Sequence, residues 1–203
     1  MASIYDLKPR FQDLLRPVCD RLARDGITAN QVTLVALVLS ILYGVLIFAS
    51  GGSRLWLFLL PVVLFLRMAL NAIDGMLARE HGQKSRLGAI LNEVSDVVAD
   101  QALYLSFLAV PGLPPTAVAA AVIMAAASEL VGVVAQTIGA SRRYDGPMGK
   151  SDRAFAFGLL GFLLGLGLAP GWWSHVYLWI VASLASVTVV NRAAKALAEG
   201  DGR

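Results

Sequence analysis

Cys19 is the only cysteine among the 203 residues of this chain, so no intrachain disulfide and no thiolate-rich metal site can form. Charge is scarce as well: 15% of residues are charged and 57% apolar, against about 25% and 45–50% in ordinary soluble domains. This balance excludes disorder, fibrous repeats and nearly every water-soluble fold. No nucleic-acid partner is expected. No internal repeat, low-complexity tract or separate soluble domain interrupts the chain. Its first 25 residues mix Lys8, Arg10, Arg16, Arg21 and Arg24 with Asp6, Asp13, Asp20 and Asp25, and lack the small-residue cleavage site of a signal peptide. No removable targeting segment is expected.

Apolar runs take the place of charge. The uncharged stretch from Gly26 to Ser53 exceeds the roughly 20 residues that cross a bilayer as a helix, and Ala154 to Asn191 is long enough for a helical hairpin. The expected fold is an all-α membrane protein. Six transmembrane helices are predicted, near 30–50, 55–79, 87–110, 116–139, 153–169 and 173–195. Gly51-Gly52-Ser53, Pro111 to Pro115 and Pro170-Gly171 supply three short turns on one face. Those turns hold Arg54 alone, whereas every other Lys and Arg except Arg67 lies in the N-terminal segment, the 79–86 and 140–153 loops or the C-terminus. Because basic residues near span ends stay on the cytoplasmic side, both termini are expected there, with Trp172, Trp173 and His175 at the outer interface of a bacterial inner membrane. Before the first span, Ile4, Leu7, Phe11, Leu14, Leu15, Val18 and Leu22 recur at helical spacing. They predict an amphipathic interfacial helix over residues 1–27, ahead of a membrane domain over 28–203. Thr28 or Asn30 is a candidate cap for the first span.

Ionisable side chains within spans are costly and mark polar cavities or functional sites. Here they concentrate on two helices. Arg67, Asn71, Asp74 and Ala78 share one face of the second span, while Gly88, Asn92, Asp96 and Asp100 follow one stripe of the third, with Glu93 beside it. The two helices run in opposite directions, so a rise of about 6 Å per four residues sets Asp74 level with Asn92, Asn71 with Asp96, and Arg67 with Asp100 one turn deeper. Such a cytoplasm-facing cleft offers carboxylate and amide oxygens, a donor set suited to Mg2+ or Mn2+ and through them to phosphates. Gly75, Ala78 and Gly88 are small where the helices converge, and Arg79 stands at the mouth.

Asn71-x2-Asp74-Gly75-x2-Ala78-Arg79-x8-Gly88-x3-Asn92-x3-Asp96 resembles the signature of the CDP-alcohol phosphatidyltransferases, D-x2-D-G-x2-A-R-x8-G-x3-D-x3-D, in every spacing. The resemblance implies an integral-membrane transferase that moves a phosphatidyl group from CDP-diacylglycerol to a polar alcohol and releases CMP. It implies a homodimer and a divalent metal, Mg2+ or Mn2+. Asn71, Asp74, Asn92 and Asp96 would be the metal ligands, and Asp96 also the base for the acceptor hydroxyl. Gly75, Ala78, Arg79 and Gly88 would border the cytidine diphosphate.

Two signature aspartates are asparagines here, Asn71 and Asn92. The four positions therefore carry two charges rather than four, which favours one firmly held cation and a second recruited with the nucleotide. Glu93 and Asp100 are candidate replacement carboxylates, with Arg67 as an expected partner for Asp100. On the acceptor side, Lys150 and Arg153 are candidate phosphate-binding residues, Ser151 a candidate helix cap, and Arg142 and Arg143 are read as contacts to anionic lipid. Glu129 and Gln136 are compatible with a cavity lining or with interhelical hydrogen bonds. Glycerol phosphate, inositol phosphate, serine and another lipid's headgroup are all compatible acceptors. Two rival readings are a family member that binds lipid without catalysis, supported by the two asparagines, and a small transporter, disfavoured by the near absence of polar residues in the outer halves of four spans.

Overall fold

The computed structural model describes residues 4–200, with side chains from Arg10 onward; Arg203 and the side chains of Ile4, Asp6, Leu7 and Lys8 lie outside the described residues. Among these residues the chain is helical and forms no strand, running through α1 (Ile4–Arg24), α2 (Ala29–Ala49), α3 (Arg54–Glu80), α4 (Arg86–Leu105), α5 (Pro115–Val134), α6 (Lys150–Gly165) and α7 (Trp172–Gly200). Short 3-10 turns extend α4 to Ala109 and α5 to Ile138. By length and composition, α2, α3, α5 with its extension, and α7 can cross a membrane.

The chain forms two compact units, the first comprising Met1–Leu42 and Val62–Ala99, the second Tyr43–Pro61 and Asp100–Arg203. In the first, α1 lays Leu15, Cys19, Leu22 and Ala23 against Ala29 and Val32 of α2 and Ile73, Met76 and Leu77 of α3. Polar ties fix the same contact: Arg16 pairs with Glu80, and His81 Nε2 lies 3.2 Å from Asp20 Oδ1. Thr28 is the cap of α2. Its Oγ1 accepts from Gln31 N at 3.3 Å while Gln31 Oε1 accepts from Thr28 N at 2.8 Å, a reciprocal box that satisfies two amides at the helix start. Ser85 caps α4 by accepting from Gly88 N at 2.9 Å.

In the second unit α5 packs along α7. Tyr104 and Phe157 stack with ring centroids 4.0 Å apart, and Phe107 meets Phe157 edge-on at 5.4 Å. The N-cap of α6 is Gly149 rather than Ser151, because Asp152 turns back to accept from Gly149 N at 2.9 Å. That starts the helix three residues before the expected span, and it stops at Gly165, ahead of Gly167 with φ +97°.

Gly44 of α2 touches the backbone of α4. A methyl placed there would stand 2.2 Å from the carbonyl oxygen of Ala102, closer than any side chain can approach backbone. Gly44→Ala must therefore push the helices apart, and we expect a stability loss of about 2 kcal/mol or more, read as a lower melting temperature in detergent.

The loop after α5 is strapped to the end of α7. Asp145 accepts from Lys195 Nζ at 2.7 Å and from Arg143, while Glu199 accepts from Ser141 Oγ at 2.8 Å and from Arg143 Nη1 at 2.7 Å. The hydrogen bond from Lys195, then those from Arg143, hold the Asp145 carboxyl below its usual range, and the Ser141 hydroxyl and amide do the same for Glu199. Carboxylates depressed in this way stabilise the fold above their unfolded values, about 3.9 and 4.3, and lose that contribution only as pH falls through the lower folded values. A nitroxide at Tyr144→Cys in a Cys19→Ser background should keep one mobility from about pH 8 to 5 and loosen only below about pH 4. Loosening near pH 6 would contradict the strap.

Candidate functional site

The expected polar faces of α3 and α4 converge within the first unit. Asn71 Nδ2 donates to Asp96 Oδ1 at 3.0 Å, the pairing that helical rise predicts. Arg67, 3% exposed, donates through Nη2 to the Asp96 carbonyl oxygen at 3.1 Å and lies 3.7 Å from Asp96 Oδ1. Asp96 is thus held by a cation and an amide from one face of α3. Helical rise matches Arg67 with Asp100 by depth; the contacts seen run from Arg67 to Asp96 and from Asp100 to Arg153.

Asp74 is 4% exposed and accepts from Thr33 Oγ1 at 2.8 Å. Thr33 Oγ1 also lies 3.0 Å from the Ala29 carbonyl oxygen, so α2 anchors the hydroxyl that steadies this carboxylate. Thr33 has no counterpart in the sequence expectations. Its only signal is a hydroxyl one turn inside a span, just after the polar pair Asn30-Gln31.

The small residues have partners that explain them. A methyl at Gly75 would meet Arg79 Nη1 and Nη2 at 3.0 and 3.1 Å, so the Arg79 guanidinium folds back over that glycine, one turn along α3. A methyl at Gly88 would meet Asn30 Oδ1 at 2.8 Å, so this glycine admits the Asn30 amide against the start of α4. Asn30 therefore faces α4, while Thr28 does the capping. Ala78 packs at the edge of the first unit's apolar core. Asn92 and Glu93 are half-buried on α4.

Lys150 is half-buried at the first position of α6, and Arg153, one turn on, is 1% exposed in the second unit. Arg153 Nη2 lies 3.2 Å from Asp100 Oδ2 and 2.8 Å from Glu129 Oε1. Arg142 and Arg143, expected at a lipid surface, are engaged by protein carboxylates, Arg142 by Glu129 at 3.2 Å and Arg143 by Asp145 and Glu199.

Among the described residues no three His, Cys, Asp or Glu side chains gather in a way that could hold a metal ion. The candidate donor set is instead two carboxylates, Asp74 and Asp96, with two amides, Asn71 and Asn92. All four offer oxygen, the donor that Mg2+ and Mn2+ prefer. Asn71 gives its Nδ2 to Asp96, which leaves its amide oxygen as the atom for a cation.

A family model described as CDP-alcohol phosphatidyltransferase matches residues 26–190. The inner membrane protein YnbA of Escherichia coli (strain K12) is 49% identical over 193 residues, covering 94% of each chain. A phosphatidylinositol phosphate synthase of Mycobacteroides abscessus is 28% identical, covering 90% of this chain and 83% of its own. The fold is also that of the Mycobacterium tuberculosis phosphatidylinositol phosphate synthase. A crystal structure with CDP-DAG bound has a TM-score of 0.73 at 23% identity, covering 89% of this chain and 92% of that one. Another, in complex with manganese and citrate, has a TM-score of 0.74 at 22% identity, covering 89% and 88%.

Proposed function

The chain belongs to the CDP-alcohol phosphatidyltransferase family, and on that premise we propose that it transfers a phosphatidyl group from CDP-diacylglycerol to a polar alcohol with release of CMP. The observation that carries this reading is the Asn71–Asp96 hydrogen bond, which joins the first and last positions of the signature across two helices.

The ligand set is Asn71, Asp74, Asn92 and Asp96, supported by its all-oxygen chemistry and by the manganese of a related enzyme. When bound, a divalent cation supplies Lewis-acid polarisation of the phosphoryl group and offsets charge on the departing phosphate. Asp96 receives the proton of the acceptor hydroxyl, whose oxygen attacks the phosphorus bearing the diacylglycerol. The bond from that phosphorus to the cytidylate oxygen breaks, and CMP leaves. Arg67 and Asn71 hold Asp96 in place for that transfer, Arg67 through the residue-96 carbonyl oxygen and Asn71 through Oδ1. Arg79, exposed and folded over Gly75, meets the negative charge that develops on the leaving phosphate, with Ala78 and Gly88 bordering the nucleotide. Lys150 and Arg153 serve the acceptor side, and Glu93 and Asp100 support the site from the α4 stripe.

The same reading sets the topology. Six spans, α2 to α7, cross a bacterial inner membrane with both termini and the active site cytoplasmic, supported by the basic loops and by the name of the Escherichia coli relative. Residues 1–27 form the interfacial element and 28–203 the catalytic domain. An interfacial place for α1 is supported by Leu14 and Val18, 73% and 49% exposed on the helix whose other side packs on the core. The homodimer follows from the family resemblance.

The test is CMP release by purified protein given CDP-diacylglycerol, Mn2+ or Mg2+ and a panel of polyols. Metal-dependent CMP release with one acceptor is expected. No release above a metal-free control with any acceptor would overturn the reading.

A further inference from the structure

Three guanidinium groups of the second unit converge on one carboxylate. Glu129 of α5 lies 2.8 Å from Arg153 Nη2 on α6, 3.2 Å from Arg142 Nη2 on the following loop, and 3.3 Å from Arg192 Nη1 on α7. The Arg153 and Arg192 side chains are 1% and 2% exposed, and Glu129 is 9% exposed. Asp100, at 3.2 Å from Arg153 Nη2, is a second carboxylate on the same guanidinium.

The remaining donors fix the forks in place. Arg153 Nη1 donates to Ser128 Oγ and to the Met148 carbonyl oxygen, each at 3.1 Å. Arg192 donates through Nε to the Asp145 carbonyl oxygen at 3.2 Å and through Nη1 to that of Ser128. Arg153 Nε is buried with no hydrogen-bond partner among the described residues, so the cluster retains donor capacity. Its accessible edge is Arg142, whose guanidinium stacks 4.3 Å above the ring of Tyr144, itself 70% exposed.

Planar arginine forks aimed at one point are the geometry that recognises a carboxylate or a phosphate. Here that point already holds a carboxylate of the chain itself. We propose that Glu129 is a built-in anion that closes this arginine site, so that the acceptor alcohol is an uncharged polyol rather than a phosphorylated one. The inference rests on the transferase reading and specifies its acceptor. A phosphate entering at Arg153 would have to displace Glu129 and leave that carboxylate buried without its cations, which is strongly unfavourable. A neutral hydroxyl needs no such exchange, since it brings no charge that must replace the Glu129 carboxylate.

The test is titration of the full chain in detergent with inorganic phosphate and with glycerol 3-phosphate, followed by calorimetry. It needs no turnover, so it separates this inference from the transferase reading, whose failure shows as absent CMP release. Wild type should show no saturable binding of either probe up to about 10 mM. Glu129→Gln, which keeps the shape and removes the charge, should bind both at least about tenfold more tightly, and adding Arg142→Gln should remove the gain. Sub-millimolar phosphate binding by wild type that Arg142→Gln abolishes would overturn the inference. So would a folded Glu129→Gln protein with no gain. If Glu129→Gln fails to fold, the wild-type titration decides alone.

Discussion

Asp96→Asn is expected to lower CMP release by about a thousandfold or more while the KM for CDP-diacylglycerol changes by no more than a few fold. The replacement amide is isosteric and can still offer an oxygen to Asn71 Nδ2, which donates to Asp96 Oδ1 at 3.0 Å in the native chain. Arg67 likewise keeps its bond to the backbone carbonyl of residue 96, so the local fold has a route to survive. What disappears is the basic oxygen for the acceptor proton, an effect of about a hundred- to ten-thousandfold by itself, together with one of only two charges in the ligand set. Asp96→Glu keeps the charge but moves it by one methylene, and a displacement of about 1 Å costs about a hundredfold, so it should lie between wild type and Asp96→Asn. The measurement is steady-state CMP release beside a melting curve. A folded Asp96→Asn enzyme within tenfold of wild type would remove Asp96 from the base role.

How much of this was legible beforehand depends on the range of the interaction. The α3–α4 pair was legible because both polar stripes repeat at helical spacing, and a constant rise per residue carries Asn71 to Asp96 without any tertiary knowledge. Thr33 was not, because a single hydroxyl near a helix start has no period of its own, and its value lies in Asp74, 41 residues away. The Glu129 cluster is hidden for the same reason: the sequence reads Arg142 as a lipid contact, Arg153 as a candidate phosphate-binding residue and Glu129 as a cavity lining or hydrogen-bonding residue, and no spacing joins the three. Only the packing of the second unit turns the arginines onto one carboxylate. Helix ends fared according to their chemistry. Gly51 and Gly52, at φ +63° and +72°, end α2 where the turn was expected. The start of α6 was misplaced, because hydropathy weighs side chains and cannot see Asp152 reaching back to Gly149 N. The amphipathic stripe of α1 was read as one lipid-facing surface. In the fold it divides, with Leu15 and Leu22 spent on the protein core and Leu14 and Val18 left outside.

Asn71→Asp should change metal dependence more than any other single substitution. In the native chain the residue-71 amide neutralises nothing, yet it donates to Asp96 and so lets two signature positions touch without a bridging ion. A carboxylate there would bring two acceptor-only groups to about 3 Å with no hydrogen between them, a repulsive contact that only a shared cation or proton relieves. Without metal the variant should therefore melt several degrees below wild type, and Mn2+ should restore the difference. With metal the added charge acts in the opposite sense: affinity at oxygen sites follows the number of charged ligands, so the half-saturating Mn2+ concentration should fall by about tenfold or more. Asn92→Asp adds the fourth charge, and in the absence of CDP-diacylglycerol the double variant should hold two ions per chain against one expected for wild type. Equilibrium dialysis with Mn2+, beside melting curves with and without metal, reads all three quantities. Two tightly held ions in the empty wild type would show that the amides do not set the count, and an unchanged half-saturation in Asn71→Asp would remove residue 71 from the metal shell altogether.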